Sequence, residues 1–106
     1  KRMERRRVVF SFGIAYETPL KKTAGLAEGL SKIISKVEDV TFDRAHFKKF
    51  GEYSLIFEVV YYVELSDYAL FMDRQQEINL AIIEYLEKHE MQFAYPTQKV
   101  YATVQK

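Results

Sequence analysis

The chain is predicted to be an α+β domain of ferredoxin-like, split βαβ type: an antiparallel-rich sheet with two helices on one face, in the order β-α-β-β-α plus a C-terminal strand. Three observations predict it. Apolar and polar residues alternate with a period of two in separated stretches, two other stretches carry apolar residues at helical spacing, and Tyr95-Pro96 follows the second of these and redirects the chain into a last alternating run.

The first strand is expected over residues 8–16, with Val8, Phe10, Phe12, Ile14 and Tyr16 on one face and mostly small residues on the other. Thr18-Pro19 offers a capping hydroxyl and a proline suited to a first helical turn, which opens helix one over about residues 19–36. Its apolar stripe is Leu20, Ala24, Ala27, Leu30, Ile34 and Val37. Residues 40–50 form a second strand with weak alternation, and Gly51-Glu52 turns into the most strand-like segment, residues 53–64. There Tyr53, Leu55, Phe57, Val59, Tyr61 and Val63 share a face, while Glu58 and Glu64 mark the opposite face as the wetter one.

Ser66-Asp67 caps a second helix running to about Glu90, with Tyr68, Met72, Ile78, Ile82, Tyr85, Leu86 and His89 on its apolar side. Proline fixes its own φ, lacks an amide donor and pushes Tyr95 out of the α region, so the chain leaves this helix extended. From Lys99 to Gln105, Val100, Ala102 and Val104 alternate with Tyr101, Thr103 and Gln105. The organisation is a domain over residues 1–98 and a C-terminal strand over residues 99–106. From the pattern alone that strand reads as an edge strand of the same domain.

At 106 residues the chain is expected to be one domain, large enough to bury roughly 65% of the surface its unfolded form exposes. It contains no cysteine, which excludes thiolate catalysis, cysteine-based zinc sites and redox switching. A net charge of +1 argues against a dedicated polyanion binder. Five of the first seven residues are Lys or Arg; without interleaved aromatics they read as a solvated lead-in strand rather than a phosphate or lipid contact. No run of 18 apolar residues occurs, so this stretch is expected not to span a bilayer, and a start at Lys1 suggests a fragment of a longer chain.

Chemistry is sparse. His46 and His89 fall on different elements, and His89 suits the exposed carbonyls at a helix C-terminus. The helical carboxylates lie among cations at surface spacing, and no phosphate loop, nucleophile elbow or His-Glu-x-x-His metal helix is present. The expectation is no enzyme, no catalytic residue, no metal and no cofactor. A stand-alone ferredoxin-like regulatory domain that binds a ligand or RNA is the alternative, since aromatic strands such as the one holding Phe57, Tyr61 and Tyr62 can stack bases. Against RNA stand Glu52, Glu58 and Glu64 along the would-be platform and a segment, residues 48–57, that lacks the RNA-recognition signature.

Several segments resemble, in order, the C-terminal cytosolic α/β domain of small-conductance mechanosensitive channels, the MscS family. They are Arg6-Arg7-Val8 through Tyr16-Glu17-Thr18, then His46-Phe47-x-x-Phe50-Gly51-x-x-Ser54-Leu55-x-Phe57-Glu58. Asp67-Tyr68 with Asp73-x-Gln75-Gln76-x-Ile78-Asn79 follows, and Phe93 to Tyr101 closes the match with its Tyr95-Pro96-x-Gln98 turn.

The resemblance implies the vestibule and assembly domain of a homo-oligomer, a heptamer in the family, whose channel releases ions and small osmolytes under membrane tension. It implies identical subunits and upstream transmembrane and β domains of the same chain as partners, no nucleic acid, and a place on the cytoplasmic side of a bacterial inner membrane. It also implies a three-stranded sheet in the order first, third, second. The last strand then leaves the domain and joins an intersubunit barrel, so Tyr95, Pro96, Gln98, Val100, Ala102 and Val104 become oligomerisation residues. Seven strands leave a lumen only about wide enough for side chains, which suits small inward residues at Val100, Ala102 and Val104.

Overall fold

A computed structural model describes residues 5–94. The C-terminal strand, its six oligomerisation residues and the first four residues of the basic opening lie outside the described residues. Within them the elements follow the expected order: β1 (Arg6–Ile14), α1 (Leu20–Ser35), β2 (Val40–Phe50), β3 (Leu55–Val63) and α2 (Tyr68–Lys88). The sheet order is β1-β3-β2, with both outer strands antiparallel to β3. β3 suits the centre because it is the most apolar strand, with Glu58 its one charged residue. Val59, Val60 and Tyr61, three consecutive residues pointing to alternate faces, are all fully buried.

One core fills the space between the sheet and the helices. β1 contributes Val8 and Ile14, β3 contributes Leu55, Phe57, Val59, Tyr61 and Val63, α1 contributes Leu26, Leu30 and Ile34, and α2 contributes Ile78, Ile82 and Leu86. Burying each such side chain is worth about 1.5–3 kcal/mol, so this cluster dominates stability. The face assignments of β1 and β3 hold. β3, however, starts at Leu55, because Gly51 donates to the Ser54 carbonyl (2.6 Å) and residues 51–54, including exposed Tyr53, form the hairpin loop. β1 likewise ends at Ile14, and Tyr16 is exposed.

The weak alternation of β2 has a cause. The register with β3 shifts between Phe42 and Arg44 and again between Phe47 and Lys49. Each extra residue flips the parity, so Phe42, Ala45, Phe47 and Phe50 share a face although they are spaced three, two and three apart.

Both helices depart from the expected stripes. In α1 the buried residues are Thr23, Leu26, Leu30 and Ile34, whereas Leu20 and Ala24 face outward. Ala24, Gly25, Ala27 and Gly29 give that half of the helix little apolar contrast, so two phases fit the sequence and packing selects one. Pro19 is the N-cap, with ψ 148°, not the first helical residue. The Thr18 hydroxyl donates to the Ala15 carbonyl (2.7 Å) and closes the β1–α1 turn instead of capping the helix. In α2, Asp67 does cap: its carboxylate accepts from the Leu70 amide (3.1 Å). Only Ile78, Ile82 and Leu86 are buried there, and Tyr68 and Met72 stay exposed because the first turns overhang the core.

Candidate functional site

Three features of the domain carry its chemistry: the open sheet face, the α1–α2 side and the end of α2 where the chain leaves. On the open face lie Ile56, Glu58, Val60 and Tyr62 of β3 with Glu64 just beyond its end, and each glutamate is held by at least one cation. Glu58 contacts Arg44 (3.1 Å) and Lys48 (3.4 Å). Glu64 takes two hydrogen bonds from Arg5 (2.6 and 3.0 Å) and one from Thr41 (2.8 Å). The Arg5 guanidinium also lies 4.0 Å from the centre of the Tyr62 ring. The Arg44 hydrogen bond holds the Glu58 carboxyl below the usual carboxylate range, and the Arg5 and Thr41 hydrogen bonds do the same for Glu64.

This geometry decides against base stacking. Phe57 and Tyr61 point to the helix side and are buried, so of the three candidate aromatics Tyr62 alone lies on the open face, where Arg5 covers it. Tyr61 is fully buried and its hydroxyl has no partner among the described residues, and burial pushes the phenol up to about 12.

His46 lies on the open face with Nδ1 3.4 Å from Arg44, and His89 lies against Tyr85 with ring centroids 4.2 Å apart and the planes tilted by 36°. Among the described residues no group of three His, Asp or Glu side chains could hold a metal ion, and no helix is long and apolar enough to cross a membrane.

The exit is built by the end of α2. The Met91 amide donates to the Leu86 carbonyl (2.7 Å) and the Glu90 amide to the Glu87 carbonyl (3.1 Å), with Glu90 at φ 59°. That is a Schellman motif, and the accompanying apolar contact falls to Met91 and Leu86, both buried. The reversal lays the chain against β1: Ala15 donates to the Gln92 carbonyl (3.0 Å), Ala94 donates to the Gly13 carbonyl (3.1 Å), and Phe93 forms an antiparallel bridge with Ile14. Phe93 meets Phe12 edge to face at 5.7 Å. The sequence reading missed this anchoring, although Phe93 next to Tyr95-Pro96 was a usable signal. Where the exit segment goes next lies outside the described residues.

A split βαβ domain that delivers its chain to a sheet edge just before Tyr95-Pro96 is consistent with the class the sequence motifs resemble, the C-terminal domain of a mechanosensitive channel. The family model described as the C-terminal domain of mechanosensitive ion channel MscS matches residues 8–93. The chain therefore belongs to the MscS family.

It is 34% identical over 100 residues to the small-conductance mechanosensitive channel MscMJ of Methanocaldococcus jannaschii, covering 92% of this chain and 28% of that one. It is 33% identical over 101 residues to the large-conductance channel MscMJLR of the same organism, covering 90% and 28%. It is 25% identical over 103 residues to the low conductance channel YnaI of Escherichia coli, covering 94% and 30%. The chain thus spans less than a third of these relatives. A cryo-EM structure of Arabidopsis thaliana MSL1 superimposes with a TM-score of 0.77 at 10% identity, covering 90% of this chain and 37% of that one, which establishes the shared fold.

Proposed function

We propose that this domain is a non-catalytic assembly and vestibule module in the subunit of a homo-oligomeric mechanosensitive channel, which passes ions and small osmolytes when membrane tension rises. In this reading the domain lies on the cytoplasmic side of the cell membrane, identical subunits and upstream membrane-spanning segments of the same polypeptide are its partners, and seven subunits form the ring. It needs no cofactor. The observation that carries the reading is the coincidence of the family match with the exit geometry: the match ends at Phe93, where the chain is laid along β1. Tyr95, Pro96 and Gln98 then redirect the chain, and Val100, Ala102 and Val104 face other subunits in an axial barrel. The paired charges on the open face support a wetted wall rather than a reaction centre.

The test uses the full-length polypeptide in a bacterial strain stripped of its own mechanosensitive channels. Survival of hypo-osmotic shock and a tension-dependent conductance in patches are expected, and Val100→Asp or Val104→Asp is expected to lower the oligomer fraction in light scattering. A full-length protein that reaches the membrane yet gives no tension-dependent current overturns the channel reading. Unchanged assembly in the two valine variants overturns the barrel.

A further inference from the structure

The domain leaves apolar residues uncovered along two opposite edges. α1 packs on β2 and α2 packs beside β1, so the sheet order β1-β3-β2 puts the two helices at opposite sides of the molecule. On the β2 side Leu20 is 82% exposed, and Ala24 is exposed one turn further along α1. Phe47 and Phe50 stand at the end of β2, the latter 72% exposed. The Tyr16 hydroxyl donates to the Gly51 carbonyl and so ties the β1–α1 turn to the same end of the sheet.

On the β1 side Leu80 of α2 is 56% exposed and Ile83 is 41% exposed. An apolar groove runs beside them. Phe10 and Phe12 of β1, Ile82 and Ile83 of α2, and Phe93 line a space of about 180 Å³, which adjoins a second of about 390 Å³ at Ile83, Leu86, Glu87 and Phe93. An apolar cavity of about 150 Å³ is enough to hold benzene, so the first space admits one aromatic ring.

The two edges match in level, size and charge. Phe93, Phe12, Phe57, Phe47 and Phe50 form one aromatic row across the helix side of the sheet, with successive ring centroids 5.7, 6.1, 5.4 and 5.2 Å apart. A copy displaced across the strands therefore brings Phe50 to the level of its neighbour's groove. Ala24, Ala27 and Ser31 follow Leu20 at helical spacing and are small, which lets a second helix approach α1, and the large residues stand on α2. α1 and α2 run antiparallel: Lys22 meets Glu90 (3.8 Å) at one end, and Arg74 meets Asp39 (3.6 Å) at the other. Laying α1 of one copy beside α2 of the next in that sense sets Lys21 near Glu84 and Lys32 near Asp73, because both pairs are spaced by eleven residues, about 16 Å of helix. Among the described residues Lys21, Asp73 and Glu84 are in no ion pair, and Lys32 has only Glu28 of its own helix at 3.9 Å.

We propose that α1 and the end of β2 in one copy of this chain pack against α2 and the β1 groove of the next, with Phe50 seated in the groove. The proposal rests on the homo-oligomer reading above. Because the contact joins two different surfaces, it repeats from copy to copy and closes into a ring. It also gives Leu20 and Ala24, apolar by sequence and exposed in the single domain, a surface that covers them.

The experiment places a photoreactive phenylalanine analogue at Phe50, or separately at Ile83, in the full-length protein, irradiates membranes, and maps the products by gel and peptide mass spectrometry. Subunit-multiple bands are expected, joining Phe50 to residues 79–87 or Phe93 of another copy, and Ile83 to residues 20–24 or 47–50 of another copy. Ala24→Arg, at an exposed helical position that the monomer fold tolerates, is expected to cut the Ile83 cross-link roughly tenfold. Lys21→Glu is expected to lower it about threefold, and Glu84→Lys in the same chain to restore it. Cross-links confined to one subunit, cross-links to residues 95–106 of either copy or to an unrelated protein, or none from a protein that native mass measurement shows to be oligomeric, overturn the proposal. So does an Ile83 cross-link that Ala24→Arg leaves unchanged. A monomer in the native measurement overturns the homo-oligomer reading itself, and this contact with it.

Discussion

Tyr85 of α2 lays its ring and hydroxyl directly over Gly29 of α1: a methyl group there would come within 2.6 Å of Cε1 and closer still to Cζ and the hydroxyl. The absence of a side chain at Gly29 is what lets the two helices approach at this point. Gly25, one turn earlier, has nothing within 4 Å of such a methyl. The same substitution should therefore change sign. Gly25→Ala is expected to stabilise by about 0.5–1 kcal/mol through helix propensity. Gly29→Ala is expected to destabilise by about 1–3 kcal/mol through overpacking. Urea denaturation of both variants checks the pair, and equal stabilisation by both would refute the packing argument.

Glu90 is the Schellman residue of α2 and holds φ 59°, a conformation that costs a residue with a Cβ about 1–2 kcal/mol. Glu90→Gly is expected to stabilise by about 1 kcal/mol. The ion pair it removes, to Lys22 at 3.8 Å, is 87% exposed on the glutamate side and contributes little. Asp39, at φ 66°, should gain less from Asp39→Gly because its carboxylate also meets Arg74 at 3.6 Å. Thermal midpoints of the two glycine variants separate these cases.

The paired glutamates of the open face set the response to acid. Glu58 and Glu64 are held below their ordinary range in the folded state, so the unfolded chain takes up protons first as pH falls. Their stabilisation is present above the unfolded carboxylate range and is lost as pH drops through the lower folded values. Glu58→Gln and Glu64→Gln are each expected to flatten the fall in stability between pH 5 and pH 3, as read from urea midpoints. A slope unchanged in both variants would count against the pairing.

Tyr61 sets the alkaline limit. Its buried phenol is pushed up to about 12, so stability is held below pH 10, where the unfolded phenol titrates, and declines as pH rises toward 12. Because its hydroxyl has no partner among the described residues, Tyr61→Phe is expected to be neutral or stabilising by about 1 kcal/mol at pH 7 and to lessen the alkaline decline. Loss of several kcal/mol in that variant would reveal a hydrogen bond to a residue outside 5–94.

The amino-acid sequence by itself determined the element order, the core face of β1 and β3, the Asp67 cap and the family. These depend on short-range periodicity, turn chemistry and motifs that any chain of this pattern carries. The last seven residues of the family resemblance, Tyr95 to Tyr101, and the assembly strand over residues 99–106 rest on sequence alone. Tertiary structure decided the rest. The buried phase of α1 was open because alanine and glycine around Leu26 leave the apolar stripe ambiguous, and contact with the sheet selected Thr23 and Leu26 over Leu20 and Ala24. The two shifts in β2 were hidden because a bulge leaves no residue signature there, and only pairing with β3 defines them. The groove beside β1 joins residues more than 65 positions apart, Phe12 and Ile83 among them, and such a surface exists only after β1, α2 and Phe93 have packed together.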